Sequence, residues 1–381
     1  MPASSIFKTP RAAIMVVFFA FGAAVGCLAG SVPVVLRAAS IDSLAMGLGL
    51  TLSTLATVTA MSLGGPIARF ASNRAVLLVA LPLFGLFLLA FLTSQSPVWF
   101  FAAFIPMGFM FGLTDVFMNA EAAAIEHDMG RPVFTAFHGC VSGGVAVLAI
   151  ASSYVSTMVG PWAVAAIAAV LFAAAWILVW TSIAPRQLAV GRSARIMSLP
   201  KKMPLVLLGF AAGLIIAGET AALLWSAKLL DELAPSLAAI AGLGAAFFGV
   251  CNAAVRFPGD GLRARFGDLP LMVGSLVVAI AGFAALGASQ SFWTSVLAFA
   301  AVGLGTAVLI PCVFAVAARF VPSNRAGGLG FVSMVSGLPR VLAPWVFGWI
   351  AAGLGINMAF GLIALALVVA LGLVVALMRM R

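Results

Sequence analysis

Within stretches otherwise built from Ala, Leu, Val, Phe and Gly, the chain holds a few side chains able to carry a proton or a charge, chiefly Asp115, His138, Glu219 and Arg340. If such stretches lie in a bilayer, each ionisable group costs at least ~2.5–3.5 kcal/mol to insert, which makes it a functional candidate unless it sits at an interface. Asp115, Asn119 and Glu126 form one stripe on a helix, because i+4 and i+11 both return close to the starting face. Asp115 is deep enough in its run to titrate in a cavity, whereas Glu126 stands near a loop, where a basic partner is expected. Glu121 is turned about 120° off that stripe, which suits a gate or a helix-packing contact. Glu219 lies near the middle of its run, with Trp225 six residues on as the aromatic expected beside it. It is the strongest single candidate, either a proton carrier or a protonated packing residue. His138 is either a relay to Asp115 or Glu121, or a histidine bonded to a backbone carbonyl or Ser142. Arg340, between Pro339 and Pro344, needs an anionic partner, which is Glu219, Asp115 or an anionic group of a substrate.

The elements that position these residues follow from composition. Of 381 residues, 64% are hydrophobic and 8% charged, against about 25% charged in an ordinary soluble domain. This excludes a soluble enzyme, a disordered chain and a nucleic-acid binder, and no alternation supports a barrel. The chain divides into twelve apolar spans bounded by Pro, Gly, Ser or charge, at about 12–39, 43–68, 75–93, 97–125, 133–158, 162–183, 204–228, 237–256, 270–288, 292–318, 327–350 and 357–378. The fold class is therefore an all-α polytopic membrane protein. With the amino terminus inside, all of the 20 Lys and Arg except Arg37, Lys228 and Arg340 fall at the termini or in even-numbered connections. The positive-inside rule then places both termini in the cytoplasm, and most of the +10 net charge records topology. Arg37 and Lys228 read as snorkelling residues at the outer interface.

Cys27, Cys140, Cys251 and Cys312 lie within spans without metal-type spacing and read as small apolar residues. The run around Cys27 continues to Arg37, which makes it a first span rather than a signal segment. No phosphate-binding loop, HExxH pair or nucleophile triad is present, so no catalytic residue, cofactor or metal is expected. Gly22, Gly26 and Gly30, and Gly139 with Gly143, have the spacing of close helix packing. Pro33, Pro106, Pro311, Pro339 and Pro344 are expected to kink their helices and expose carbonyls.

Two halves repeat. The segment 65–71, GPIARFA, matches 261–267, GLRARFG, at an offset of 196, and Trp99/Trp293, Arg131/Arg325 and Gly143/Gly337 recur at 194. The expected organisation is a six-helix half over 1–184, a basic linker over 185–203 and a second half over 204–381. Parallel six-helix repeats about an axis along the membrane normal characterise one class of secondary transporters. The chain resembles the major facilitator superfamily over essentially its whole length. The family's acidic and basic loop after span two reads GGPIARFASNR here, with Arg69 and Arg74 but no acid; its second-half counterpart, RFPGDGLRARFG, carries Arg256, Asp260 and Arg265. These residues, with Glu121 and Glu126, are expected to gate the cytoplasmic side. The segments GLTDVFMNAEAAAIEHDMGRP, FHGCVSGG, GETAALLW and RFPGDGLRARFG are similar to a branch of bacterial inner-membrane facilitators, although Leu223-Leu224 replaces a polar pair common there.

The resemblance implies an inner-membrane transporter, and the expected function is a monomeric carrier that moves a small organic solute by alternating access, with protonation of Asp115 or Glu219 as the coupling switch. A drug or amphipathic-compound exporter of the same fold is the alternative within transport, and a non-transporting membrane sensor is the alternative of another class.

Overall fold

The computed structural model describes residues 9–130, 133–185, 202–321 and 325–380. Lys8, Arg131, Arg186, Arg192, Arg195, Lys201 and Arg381, with most of the expected linker, lie outside these. The described residues are helical and contain no strand. The helices are α1 Pro10–Ala38, α2 Ser43–Ala68, α3 Asn73–Leu92, α4 Pro97–Met129, α5 Phe134–Met158, α6 Pro161–Ser182, α7 Lys202–Leu224, α8 Ser226–Leu233, α9 Leu243–Arg256, α10 Gly259–Phe266, α11 Asp268–Ala288, α12 Phe292–Thr306, α13 Leu309–Phe320, α14 Arg325–Leu354 and α15 Ile356–Arg379. Among the described residues, eleven helical segments are long and apolar enough to cross a membrane, α12 and α13 counting together, and α9 is a shorter apolar helix in the remaining position. The twelve-span reading thus corresponds to the twelve-helix facilitator fold.

Contacts divide the chain into two compact units. One comprises Met1–Ile41, Leu52–Val190 and Ser236–Gly242, the other Asp42–Thr51, Gly191–Pro235 and Leu243–Arg381. In the first unit, α1 packs on α5 through backbone approach. A Cβ added at Gly22 or Gly26 would strike the carbonyls of Val141 or Val145, and one at Gly30 that of Ala149. The partner glycine on α5 is Gly144, which faces Phe19 and Ala23 of α1, and not the expected Gly143, which has open space around it. Small residues at such a crossing let dispersion contacts replace the hydrophobic force that lipid cannot supply. Gly26→Val is therefore expected to lower thermal stability by about 3 kcal/mol or to abolish folding, because backbone cannot yield as a side chain does. Gly143→Ala, measured beside it by thermal unfolding in detergent, should be near neutral; equal losses would contradict the assigned face.

Two expected spans are interrupted and one runs on. Span seven breaks at Trp225 into α7 and α8, and span ten at Ala307–Val308 into α12 and α13. The Arg256 end of α9 leads directly into α10 through Phe257-Pro258, so this stretch continues as helix where a connection was expected. Proline removes the amide that would bond the carbonyl four residues earlier. Pro311 thereby frees the Ala307 carbonyl, and Pro82 frees that of Leu78. Each is recaptured, Ala307 by Arg256 Nε at 3.2 Å and Leu78 by the Trp176 indole at 2.9 Å. Pro33, Pro106, Pro339 and Pro344 sit inside helices that continue past them.

The duplication is visible in packing. Gly108 on α4 lies against the Ser53 carbonyl of α2, and Gly303 on α12 lies against the Phe248 carbonyl of α9, both pairs separated by 195. Thr57 and Asn252 correspond at the same offset and both donate to the neighbouring helix, Thr57 to the Gly108 carbonyl at 2.8 Å and Asn252 to Thr306 at 3.2 Å. On that register Arg256 falls at Met61, well inside α2, which explains why it belongs to a span rather than to a loop.

Candidate functional site

The residues with the most chemistry converge in the second unit, around Glu219. Its helix α7 is apolar over most of its length, and Glu219 points toward α9 and α12. The side chain is 16% exposed, its Oε1 stands 3.8 Å from Nη2 of Arg256, and that oxygen is buried without a hydrogen-bond partner. A separation of 3.8 Å is a charge contact and not a hydrogen bond. Asn252 and Thr306, bonded to each other, stand beside the carboxylate. Arg256 is fixed by its Nε on the Ala307 carbonyl while its side chain remains 47% exposed. The kink of span ten therefore holds the guanidinium, and the guanidinium faces the acid.

This corrects two expectations. The cation beside Glu219 is Arg256, assigned from sequence to the cytoplasmic loops; Arg340 is half-buried on α14 next to Pro339. Trp225 does not share the site. Six residues turn it about 120° away from Glu219, and it is buried against Phe347 with ring centroids 4.7 Å apart. Trp225 instead lines an apolar cavity of about 260 Å³ with Gly218, Ala221, Pro339, Pro344 and Phe347. Asn252 and Thr306 were missed in the sequence, although the correspondence of Asn252 with Thr57 marks it as a polar side chain at a helix crossing.

In the first unit, Asp115 and Asn119 form the expected pair. The Asn119 amide nitrogen reaches the Asp115 carbonyl at 2.8 Å and its Oδ1 at 3.1 Å, with both side chains half-buried. Glu126 leaves the stripe. Its Oε2 accepts from the amides of Val133 at 2.8 Å and Phe134 at 2.7 Å, at the start of α5. A carboxylate there meets free N–H groups and the positive end of the helix dipole. Glu121 is 1% exposed and accepts from the Asn73 amide at 2.9 Å, joining the start of α3 to α4. His138 is exposed, with its ring at 5.3 Å from Phe18 and 5.0 Å from Phe134.

The expected gate residues divide. Arg74 donates to the Trp180 carbonyl at 2.8 Å and lies over its ring, Arg69 is exposed, and Arg265 lies over Phe266. Asp260 accepts from Arg263 at 2.9 Å but is 96% exposed. The acid that organises this end is Asp268, 5% exposed, gripped by Arg263 at 2.8 Å and by Arg319. These hydrogen bonds to carboxylates make the Arg263 guanidinium a weaker acid than usual, Asp268 first among the causes. The repeat offset pairs Asp268 with Asn73, a correspondence not exploited in the sequence. Lys228 pairs with Glu232 on α8, rather than simply reaching for an interface.

Comparison with known proteins follows this geometry. The Major Facilitator Superfamily profile matches residues 205–381. Membrane protein MosC of Rhizobium meliloti is 26% identical over 379 residues, covering 97% of this chain and 89% of its own. An uncharacterized MFS-type transporter of Yersinia pestis is 25% identical over 365 residues, covering 92% and 91%. Among solved structures, a mutant of the nucleoside transporter NupG superposes with a TM-score of 0.77 at 16% identity, covering 98% of this chain and all of that one. The D-xylose-proton symporter gives 0.74 at 16% identity, covering 97% of each. At these identities the superpositions establish the fold, while the profile and the full-length relatives are likenesses of sequence. The chain is a multi-pass membrane protein with the fold of facilitator-type transporters, whose residues 205–381 match the Major Facilitator Superfamily and which is similar over nearly its whole length to proteins named as MFS-type transporters.

Proposed function

We propose that the protein is a secondary transporter that carries a small organic solute across the bacterial inner membrane by alternating access, with Glu219 as the group that couples transport to protons. One observation carries this reading: a carboxylate oxygen buried in a span without a hydrogen-bond partner, yet within a charge contact of a half-exposed guanidinium. A group held this way is stable either as a carboxylate facing Arg256 or as a neutral acid, and exchange between the two is the change a proton-driven switch requires. The small polar set beside it, Asn252 and Thr306, gives a solute hydrogen-bonding groups to replace its water. Asp115 with Asn119 is a separate polar position in the first unit and serves as a second protonation site.

The test is flux in proteoliposomes with an imposed pH gradient, screened over sugars, nucleosides, organic acids and amphipathic drugs. Gradient-dependent movement of one class is the expected result. Asp115→Asn should retain gradient-driven flux while altering the apparent affinity by about tenfold, roughly 1.4 kcal/mol, the loss of one polar contact. Flux indifferent to the gradient throughout the screen would remove the proton from the mechanism.

A further inference from the structure

The arrangement around Arg256 also speaks to what the solute is. Its guanidinium is anchored by one nitrogen only, Nε on the carbonyl freed at the α12–α13 break, which leaves the Nη edge facing the site. Among the described residues the single acidic neighbour of that edge is Glu219, at 3.8 Å, too far for a hydrogen bond. Asn252 lies one turn before Arg256 on α9; its amide nitrogen gives one N–H to Thr306, and its second N–H and the Thr306 hydroxyl stand beside the Glu219 carboxylate, as donors that an anion taking its place would meet. A planar donor fork, an amide and a hydroxyl around one replaceable carboxylate match an oxyanion, since guanidinium binds carboxylate or phosphate through two parallel N–H donors.

We infer that the transported solute is a small organic anion, whose carboxylate or phosphate displaces Glu219 from Arg256 and enters together with one proton bound by Glu219. The inference rests on the transporter reading given above. Charge balances in both states. Without solute, the site holds carboxylate and guanidinium. With solute, it holds guanidinium, the substrate monoanion and neutral Glu219, the proton having come from the aqueous phase onto its carboxylate. Either filling is neutral, whereas anion without proton would leave a net negative charge buried in the span. Because the two anions compete for one cation, anion binding favours protonation and protonation favours anion binding, by the same factor.

The experiment uses the full chain, purified and in proteoliposomes, with matched probes: D-glucuronate against D-glucose, L-lactate against L-lactamide, and inorganic phosphate. Binding is read as a thermal shift, proton uptake in weakly buffered solution, and transport as flux. The expected result is that an oxyanion probe binds and moves while its neutral partner does not, with about one proton taken up per anion bound. Carboxylate and phosphate probes tell the two head groups apart. Arg256→Gln should weaken that probe by about tenfold or more, the usual effect of losing a charge-assisted bond. Arg256→Lys, which keeps the charge without the fork, should bind more weakly than wild type yet retain proton uptake, and it serves if the Gln variant does not fold. Glu219→Gln should bind the anion with no proton uptake. A neutral probe carried as well as its anion, an undiminished affinity in Arg256→Gln, or anion binding without proton uptake in the wild type would overturn the anion assignment and leave the transporter reading standing. If no probe or solute from the broader screen moves or shifts the melting temperature, the transporter reading itself fails and the anion assignment with it.

Discussion

Glu219→Gln is expected to abolish accumulation of solute against its gradient while leaving solute exchange between the two sides intact. With one proton per solute, a gradient of two pH units sustains a concentration ratio of about 100 at equilibrium, each tenfold being roughly 1.4 kcal/mol. Glutamine has the shape of the neutral acid but carries no transferable proton, so the ratio should fall to about one, a change of two orders of magnitude. The protein should still fold, because Arg256 keeps its bond to the Ala307 carbonyl and its side chain is 47% exposed, so the cation left behind is partly solvated. Counterflow of labelled against unlabelled solute measures the exchange, and pH-driven accumulation measures the coupling. Accumulation equal to wild type would remove Glu219 from the coupling step, and loss of both activities would assign it a structural role.

The sequence identifies Glu219 but not its partner, and the reason is geometric. Helical periodicity relates residues on one helix, so it recovers the Asp115–Asn119 pair and the isolation of Glu219 within its run. It carries nothing across a gap between helices, where Arg256 meets Glu219 and Asn73 meets Glu121. Arg340 attracted attention because it is the basic residue farthest from any loop, whereas Arg256 sat at what read as a span end. Pro258 after it is a bend from which helix continues as α10. The fold was legible because apolar span length and loop charge are one-dimensional properties, and the wide spacing of small residues named the α1 face correctly. The α5 face was misassigned by one residue, because Gly143 and Gly144 are adjacent and spacing alone does not fix which one meets α1.

More was available in the duplication than the loop motif alone supplied. Aligning the halves at 195 places Thr57 on Asn252, Gly108 on Gly303 and Asn73 on Asp268, all at helix crossings or helix starts. The charges of the site, however, are not duplicated. Arg256 corresponds to Met61 and Asp115 to Ile310, so each half has kept the repeat's packing positions while these ionisable groups have no counterpart in the other. Packing tolerates duplication because both halves need the same close crossings. A coupling carboxylate does not need a second copy, and each additional buried charge raises the insertion cost.

Asn73 and Asp268 show how the same repeat position responds to its neighbours, and exchanging their chemistry should damage both halves. Asp268, 5% exposed at the start of α11, is held between Arg263 and Arg319. Asp268→Asn keeps the shape but leaves two guanidinium groups facing one neutral amide. Removing one partner from a buried pair typically costs ~3–5 kcal/mol, and because these guanidinium groups are 26% and 51% exposed the expected loss is smaller, roughly 1–3 kcal/mol. Asn73 is buried and donates to Glu121, which is itself buried. Asn73→Asp would replace that donor with a second carboxylate and remove the hydrogen bond unless one of the two acids takes a proton, so destabilisation of about 2 kcal/mol or more is expected. The two substitutions are opposite in chemistry, acid to amide and amide to acid, yet each should lower the melting temperature in detergent. Arg319→Gln combined with Asp268→Asn should cost less than the sum of the single losses, because the second substitution removes a cation that the first has left without its acid. Strict additivity, or a stable Asn73→Asp protein at neutral pH, would show that these contacts do not hold the helix ends together.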